Sequence, residues 1–185
     1  MFSDEKYVLS GRLKELIITS GGENIAPVPV EARMKNSLPG LLSNCMVVGD
    51  RRKFLAILLT LKVDLDPVTM MPTNKLTPEL RKYLEQECGG GGVAIETVDD
   101  YLKGPAEVKR AVDAIIENAL KKVNEGALSR AQTLQYFLVL PRDFSIGGGE
   151  LTPTMKVKRS VIEKMYKKEL DKLYAEAEAS GPPAE

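Results

Sequence analysis

The stretch SNCMVVGDRRKFLAILLTL, residues 43–61, constrains the fold more than any other part of the chain. Two short apolar runs flank GDRRK, where Gly49 and Asp50 supply a bend, so the segment reads as a β-hairpin. Two buried helices are the alternative reading, weakened by the shortness of the runs and by the glycine between them. Strands this apolar need cover, and the rest of the chain has to provide it.

The flanking segments fit that demand. KELIIT (Lys14 to Thr19) reads as a short strand and SGGEN after it as a turn, because glycine takes positive φ without steric cost. Pro27 and Pro29 favour a helix start, with Val30, Met34 and Leu38 as its buried face. The Pro, Asp, Thr and Asn content from Asp64 to Leu76 reads as a loop. Thr77 caps a helix through Cys88, with Pro78 at its first position, and GGGG at 89–92 stops it. A helix from Pro105 to Asn124 places Val108, Val112, Ile115, Ala119 and Val123 on one face. TLQYFLVLP reads as a third strand, and Arg159 to Ala177 as a last helix with Ile162, Tyr166, Leu170 and Leu173 inward. The expected fold class is α+β: a small mixed sheet covered by helices.

Composition removes several chemistries. The 185 residues contain no histidine, which excludes Ser-His and Cys-His nucleophiles and histidine-ligated metals. Lys plus Arg (26) balances Asp plus Glu (26), so no overall field draws in nucleic acid, and any anion must be met locally. Two cysteines and a start without an apolar signal segment fit a reducing, cytoplasmic setting. Apolar runs fall short of the roughly 20 residues a spanning helix needs, so membrane attachment is peripheral or lies outside this chain.

Two dense stretches carry the chemistry. GRLKELIITSGGENIAPVPVE begins at Gly11, and GGGELTPTMKVKRSVI runs from Gly147 to Ile162. In the second, three glycines make a mobile approach and Lys156, Lys158 and Arg159 arrive just before a helix. Lysine there acts as a compact point charge for a phosphate or carboxylate oxygen. A KxKR cluster taken alone is more often a solvated face. A phosphate cradle at 89–92 is disfavoured, since no Lys-Ser/Thr follows.

Together, the two stretches resemble the hinge motif and the C-terminal lysine motif of the adenylate-forming superfamily. NCMVVGDRRKFLAILLTLKVD between them is similar to the lid-domain hairpin of long-chain acyl-CoA synthetases, in wording nearest the bubblegum-type branch. The resemblance runs from about Tyr7 to Leu173 and implies a two-step ligase. A fatty acid carboxylate first attacks the α-phosphate of ATP, supplied with Mg2+, releasing pyrophosphate. The thiol of CoA then displaces AMP.

It further implies that Lys156 bridges the carboxylate and α-phosphate oxygens during adenylation. Arg12 contacts the ribose and phosphate side of the nucleotide, Lys14 is the hinge, and Gly21 and Gly22 leave room for the pantetheine arm. Arg159 is a further phosphate contact, while Lys158 is read as dressing its helix. SGGEN carries one residue more than the matching loop of plant-type coumarate ligases, as is usual in the long-chain branch.

The implied division is 1–13 as the end of an N-terminal adenylation domain and hinge approach, 14–177 as the lid, and 178–185 as a disordered tail. The superfamily's phosphate loop, adenine pocket and fatty-acid tunnel belong to that N-terminal domain, the expected partner, so the lid alone is expected to be inactive. The whole enzyme is expected in the cytoplasm or held peripherally on the endoplasmic reticulum or other membranes. Two alternatives stand: a stand-alone lid-like protein that binds CoA or a partner synthetase, and the lid of a superfamily enzyme acting on a different acid.

Overall fold

The computed structural model describes residues 16–87 and 95–180. β1 (Ile17–Ile18) and β2 (Asn24–Ile25) pair antiparallel across the Ser20–Gly21 turn. α1 (Pro27–Ser37) starts on proline, whose missing amide proton costs nothing in a first turn. It buries Pro27, Val30 and Met34, and Leu38 just beyond its end is also buried.

β3 (Leu42–Val48) and β4 (Leu55–Leu61) form the expected antiparallel hairpin, with Cys45 opposite Leu59 and Val47 opposite Ile57. All seven residues of β4 are buried because the strand is central and covered on both faces. Its continuous apolar run conceals a period of two. Leu55, Ile57, Leu59 and Leu61 enter one core with Cys45 and Val47, whereas Ala56 and Leu58 enter a second with Met46 and Val48.

The 64–76 segment is not the loop its composition suggests. β5 (Val63–Leu65) and β6 (Pro72–Leu76) pair as a hairpin. Asp66 nucleates its turn, its Oδ1 accepting from the amides of Val68 (3.0 Å) and Thr69 (2.7 Å) and from the Thr69 hydroxyl. These bonds, led by that from the Thr69 amide, hold the Asp66 carboxyl below its ordinary pKa. Pro72 is tolerated because it opens its strand.

α2 (Pro78–Glu87) follows Thr77, whose hydroxyl accepts from the Leu80 amide, as expected. Cys88 and the 89–92 glycines lie outside the described residues. α3 (Val98–Lys103) was not anticipated. Its signal is TVDD, in which the Thr97 hydroxyl accepts from the Asp100 amide while the Asp100 carboxylate accepts from the Thr97 amide.

α4 (Ala106–Glu125) buries Val108, Val112, Ala119 and Val123 as expected, but Ile116 and not Ile115 takes the central core position. Adding Leu120 shifts the apolar stripe by one residue, and Ile115 packs at its margin. β7 (Leu134–Val139) lies parallel to β4 and completes a mixed three-stranded sheet in the order β3-β4-β7. A parallel neighbour requires a long crossover, which the segment from β5 through α4 provides.

The last helix is two: α5 (Arg159–Met165) and α6 (Lys167–Ser180), divided at Tyr166. Ile162, Tyr166 and Leu170 are buried as expected. After the break Tyr174 and Ala177 face inward, while Leu173 is only half-buried. α6 continues to Ser180, past the expected boundary at 177, and residues 181–185 lie outside the described ones.

The two cores occupy opposite faces of the sheet. One is filled from α1, α2, α3 and α4, and the other from α5, α6 and the segment after β7. Cys45 lies in the first, its thiol donating to the Glu31 carbonyl at 3.5 Å. Burial, and then the Glu31 charge, pushes its pKa up to about 12. At pH 8 about one such thiol in ten thousand is ionised. Iodoacetamide should therefore leave Cys45 unmodified in the native chain and label it after unfolding, as read by peptide mass. Rapid labelling of the native chain would contradict the burial.

Candidate functional site

The Lys156 turn is built on a pair of residues that are not themselves basic. Leu151 and Val157 form an isolated antiparallel bridge, and both pack toward the second core. Between them Thr152 closes the loop: its amide donates to the Lys156 carbonyl (2.8 Å) and its hydroxyl accepts from the Lys156 amide (3.0 Å). The Met155 amide donates to the Thr152 carbonyl, and Met155 itself has φ +60°. A backbone held this closely projects the Lys156 side chain into solvent, with no ion pair to its ammonium among the described residues.

Two of the three glycines before this turn, Gly147 and Gly148, are packed, contrary to the mobile approach their composition suggests, while Gly149 takes φ +90° in open space. A Cβ on Gly147 would lie 2.5 Å from Met71 Sδ, and one on Gly148 would lie 2.2 Å from Glu150 Oε2. Glu150 is fully buried; its carboxylate accepts from Arg142 Nη2 (2.9 Å) and from the Ser145 amide (3.3 Å). Its carbonyl accepts from the Lys158 amide at 2.8 Å, so the turn stands on a buried carboxylate whose arginine partner is half-exposed.

Asp143 fixes the same segment to the sheet. Its Oδ1 accepts from the Thr60 hydroxyl, Asn44 Nδ2 (2.9 Å) and the Phe144 amide (2.8 Å), and its Oδ2 accepts from the Ser43 hydroxyl. The irregularity in pairing between Leu42 and Asn44 accompanies this, with adjacent Ser43 and Asn44 both reaching one carboxylate.

Arg159 has a structural engagement. Nη2 donates to Glu31 Oε2 at 2.7 Å and Nη1 to the Val47 carbonyl at 3.3 Å, while Glu31 Oε1 accepts from the Val47 amide at 2.7 Å. The pair thus satisfies one residue's worth of the exposed edge of β3 and ties α1 to α5. With its side chain only 21% exposed, Arg159 braces the fold, and a phosphate contact gains no support from this geometry. Lys158 is exposed at the N-terminal boundary of α5, in keeping with a solvated role.

Gly21 and Gly22 lie exposed in the turn between β1 and β2. Gly22 has φ +83° and its amide donates to the Thr19 carbonyl at 2.9 Å. A Cβ on Gly22 would meet nothing within 4 Å, so the space around this turn is open. Ile17 and Ile25 anchor it in the first core. Among the described residues no hydrogen bond or ion pair joins this turn to the Lys156 loop. Arg12 and Lys14 lie outside the described residues.

Sequence reasoning missed Glu31, Asp143 and Glu150. Glu31 and Asp143 depend on partners far along the chain, and Glu150 depends on Arg142 and Ser145 in an irregular segment, where no helix or strand period marks the pairing. Among the described residues no cluster of His, Cys, Asp or Glu could hold a metal ion, and no helix is long and apolar enough to cross a membrane.

Comparison with known proteins agrees with this architecture. Residues 14–87 match the AMP-binding enzyme C-terminal domain family. The chain is 46% identical over 177 residues, 96% of its length, to long-chain-fatty-acid–CoA ligase ACSBG2 of Xenopus laevis. It is 45% identical over 174 residues to long-chain-fatty-acid–CoA ligase ACSBG1 of Homo sapiens. It spans 22% and 23% of those proteins' lengths.

Among solved structures, the A domain of a carboxylic acid reductase from Segniliparus rugosus, in complex with AMP and a carboxylic acid, superposes with a TM-score of 0.59. The match covers 94% of this chain and 22% of that one at 23% identity. The corresponding domain from Mycobacterium chelonae gives 0.58, covering 89% of this chain and 20% of that one at 23% identity. These two likenesses concern the fold. Residues 14–87 thus resemble an AMP-binding enzyme C-terminal domain, in a chain that is similar over most of its length to the long-chain-fatty-acid–CoA ligases.

Proposed function

We propose that this chain acts as the C-terminal lid of a long-chain fatty acid–CoA ligase, completing a site whose larger part belongs to an N-terminal adenylation domain. The substrates are a fatty acid, ATP as its magnesium complex, and CoA. In the first step a carboxylate oxygen bonds to the α-phosphorus and pyrophosphate leaves. In the second the CoA sulfur bonds to the acyl carbon and AMP leaves.

The observation that carries this reading is the Lys156 turn, a solvent-facing cation on a tightly bonded loop, without an ion-pair partner among the described residues. Two anions must meet for adenylation, and a positive charge held between them lowers their repulsion in a partly dehydrated cleft. Pre-formed backbone geometry means little reorganisation is needed when the charge is used. The open Gly21–Gly22 turn suits passage of the pantetheine arm, since it presents no side chains. Arg12 and Lys14 keep their assigned parts as nucleotide contact and pivot. Peripheral association with a membrane surface belongs to the same proposal for the whole enzyme.

The enzyme containing this chain should release pyrophosphate only when both ATP and a long-chain fatty acid are present, and should form acyl-CoA on addition of CoA. Acyl-adenylate without thioester would overturn the ligase reading. A preference for a short or aromatic acid would overturn the substrate class.

A further inference from the structure

The bend that closes the β3–β4 hairpin is also a fastening. Gly49 has φ +154°, and a Cβ there would lie 2.6 Å from Leu55 Cδ2; Arg51 has φ +57°. A turn this tight leaves polar groups of residues 50–52 facing outward, and the β1–β2 hairpin takes three of them. Asp50 Oδ1 accepts from the Ile18 amide at 3.1 Å, the Arg51 amide donates to the Ile18 carbonyl at 2.7 Å, and the Ser20 amide donates to the Arg52 carbonyl at 2.9 Å.

The other side of the bend is tied to α6. Arg52 Nη2 donates to Asp171 Oδ1 at 2.6 Å, and its guanidinium carbon lies 4.7 Å from the centre of the Tyr174 ring. The Tyr174 hydroxyl donates to the Phe54 carbonyl at 3.3 Å. The glycine turn is thereby linked through residues 50–54 to a helix of the opposite core.

Such a link matters because the hairpin is too small to hold its own orientation. β1 and β2 share two residue pairs, and isolated two-stranded ribbons are marginal in water. Ile17 and Ile25 fix its depth in the core, but Ile18 is 48% exposed, so side-chain packing does little to hold its backbone. Asp50 supplies the only side-chain acceptor among the three bonds, and a charged acceptor makes a stronger bond than a neutral one.

We propose that Asp50 is a positioning residue for the thioester-forming step, holding the turn that carries Gly21 and Gly22 against the body of the lid. This rests on the assignment of that turn to the CoA side. The proposal separates Asp50 from Lys156: the first acts on one half-reaction through a backbone, and the second acts on the other through its charge.

The test has two readouts. In the 185-residue chain, Asp50→Ala should speed hydrogen exchange of the Ile18 amide by at least about fivefold, the factor for loss of one net hydrogen bond. Asp50→Asn, which retains a neutral acceptor oxygen, should exchange at a rate between those of the alanine variant and the wild type. In the enzyme containing this chain, Asp50→Ala should lower kcat/KM for CoA by about tenfold, mostly through KM, with fatty-acid-dependent pyrophosphate release unchanged. Asp50→Asn should restore part of it.

Ile18 protection unchanged in Asp50→Ala overturns the fastening. Faster exchange with an unaltered CoA step, or equal loss in both half-reactions, overturns the positioning role. A wild-type enzyme that forms acyl-adenylate but never thioester instead overturns the CoA assignment of Gly21 and Gly22, and the exchange result then stands as a property of the fold alone.

Discussion

Lys156→Ala should reduce fatty-acid-dependent acyl-adenylate formation by about 10²–10³-fold, the range found when one aligned electrostatic stabiliser is removed. The reasoning is local. The Thr152 bonds set the backbone of the turn, and alanine at 156 keeps both backbone bonds while deleting the charge. Because Lys156 is exposed and has no ion pair among the described residues, its removal should leave the fold intact, and thermal melting of the variant should match the parent. Thioester formation from preformed acyl-adenylate should stay within about threefold, since that step no longer brings two anions together. Rapid-quench measurement of each half-reaction separates the cases. Equal loss in both would show that the ammonium does not act where the proposal puts it.

Asp143→Ala has the opposite character: a large stability loss. The substitution leaves three side chains, Ser43, Asn44 and Thr60, without the carboxylate they share, and the Thr60 side chain lies in a fully buried residue. Thr60 keeps the 3.0 Å bond it accepts from the Asn44 amide, and for its own proton only a longer 3.3 Å bond to the Asn44 carbonyl. Orphaning buried donors costs about 1–3 kcal/mol per group, so a total of about 3 kcal/mol is expected after local rearrangement. At this chain length that lowers Tm by about 6–12 °C. Asp143→Asn, keeping shape and one acceptor, should lose less than half as much in a denaturant titration. A variant as stable as the parent would mean that water replaces the carboxylate without loss.

The hairpin, the proline-led helix and the third strand were legible because each is written in neighbouring residues: β-branched runs around Gly49, Pro27 at a helix start, an apolar run ending at Pro141. The β5–β6 hairpin was hidden by a polar composition that describes its Asp66 turn correctly and its strands not at all. α3 was legible in principle through Thr97 and Asp100, but six residues give periodicity too little to work on. Lys156 could be singled out only together with the first motif. Its supports, Glu150 and Asp143, depend on Arg142, Ser43 and Thr60, and pairings that span up to 100 positions leave no trace in local spacing.

The sheet divides the domain into two cores, with the glycine turn rooted in one and the lysine turn in the other. That partition makes the two ends of the domain separately adjustable. A substitution such as Val157→Ile can change the seating of the lysine turn without repacking Ile17 and Ile25, and Ile25→Val can change the glycine turn without disturbing Leu151. On the proposed function, each half of the two-step reaction then has a core of its own through which it can be altered while the other is kept.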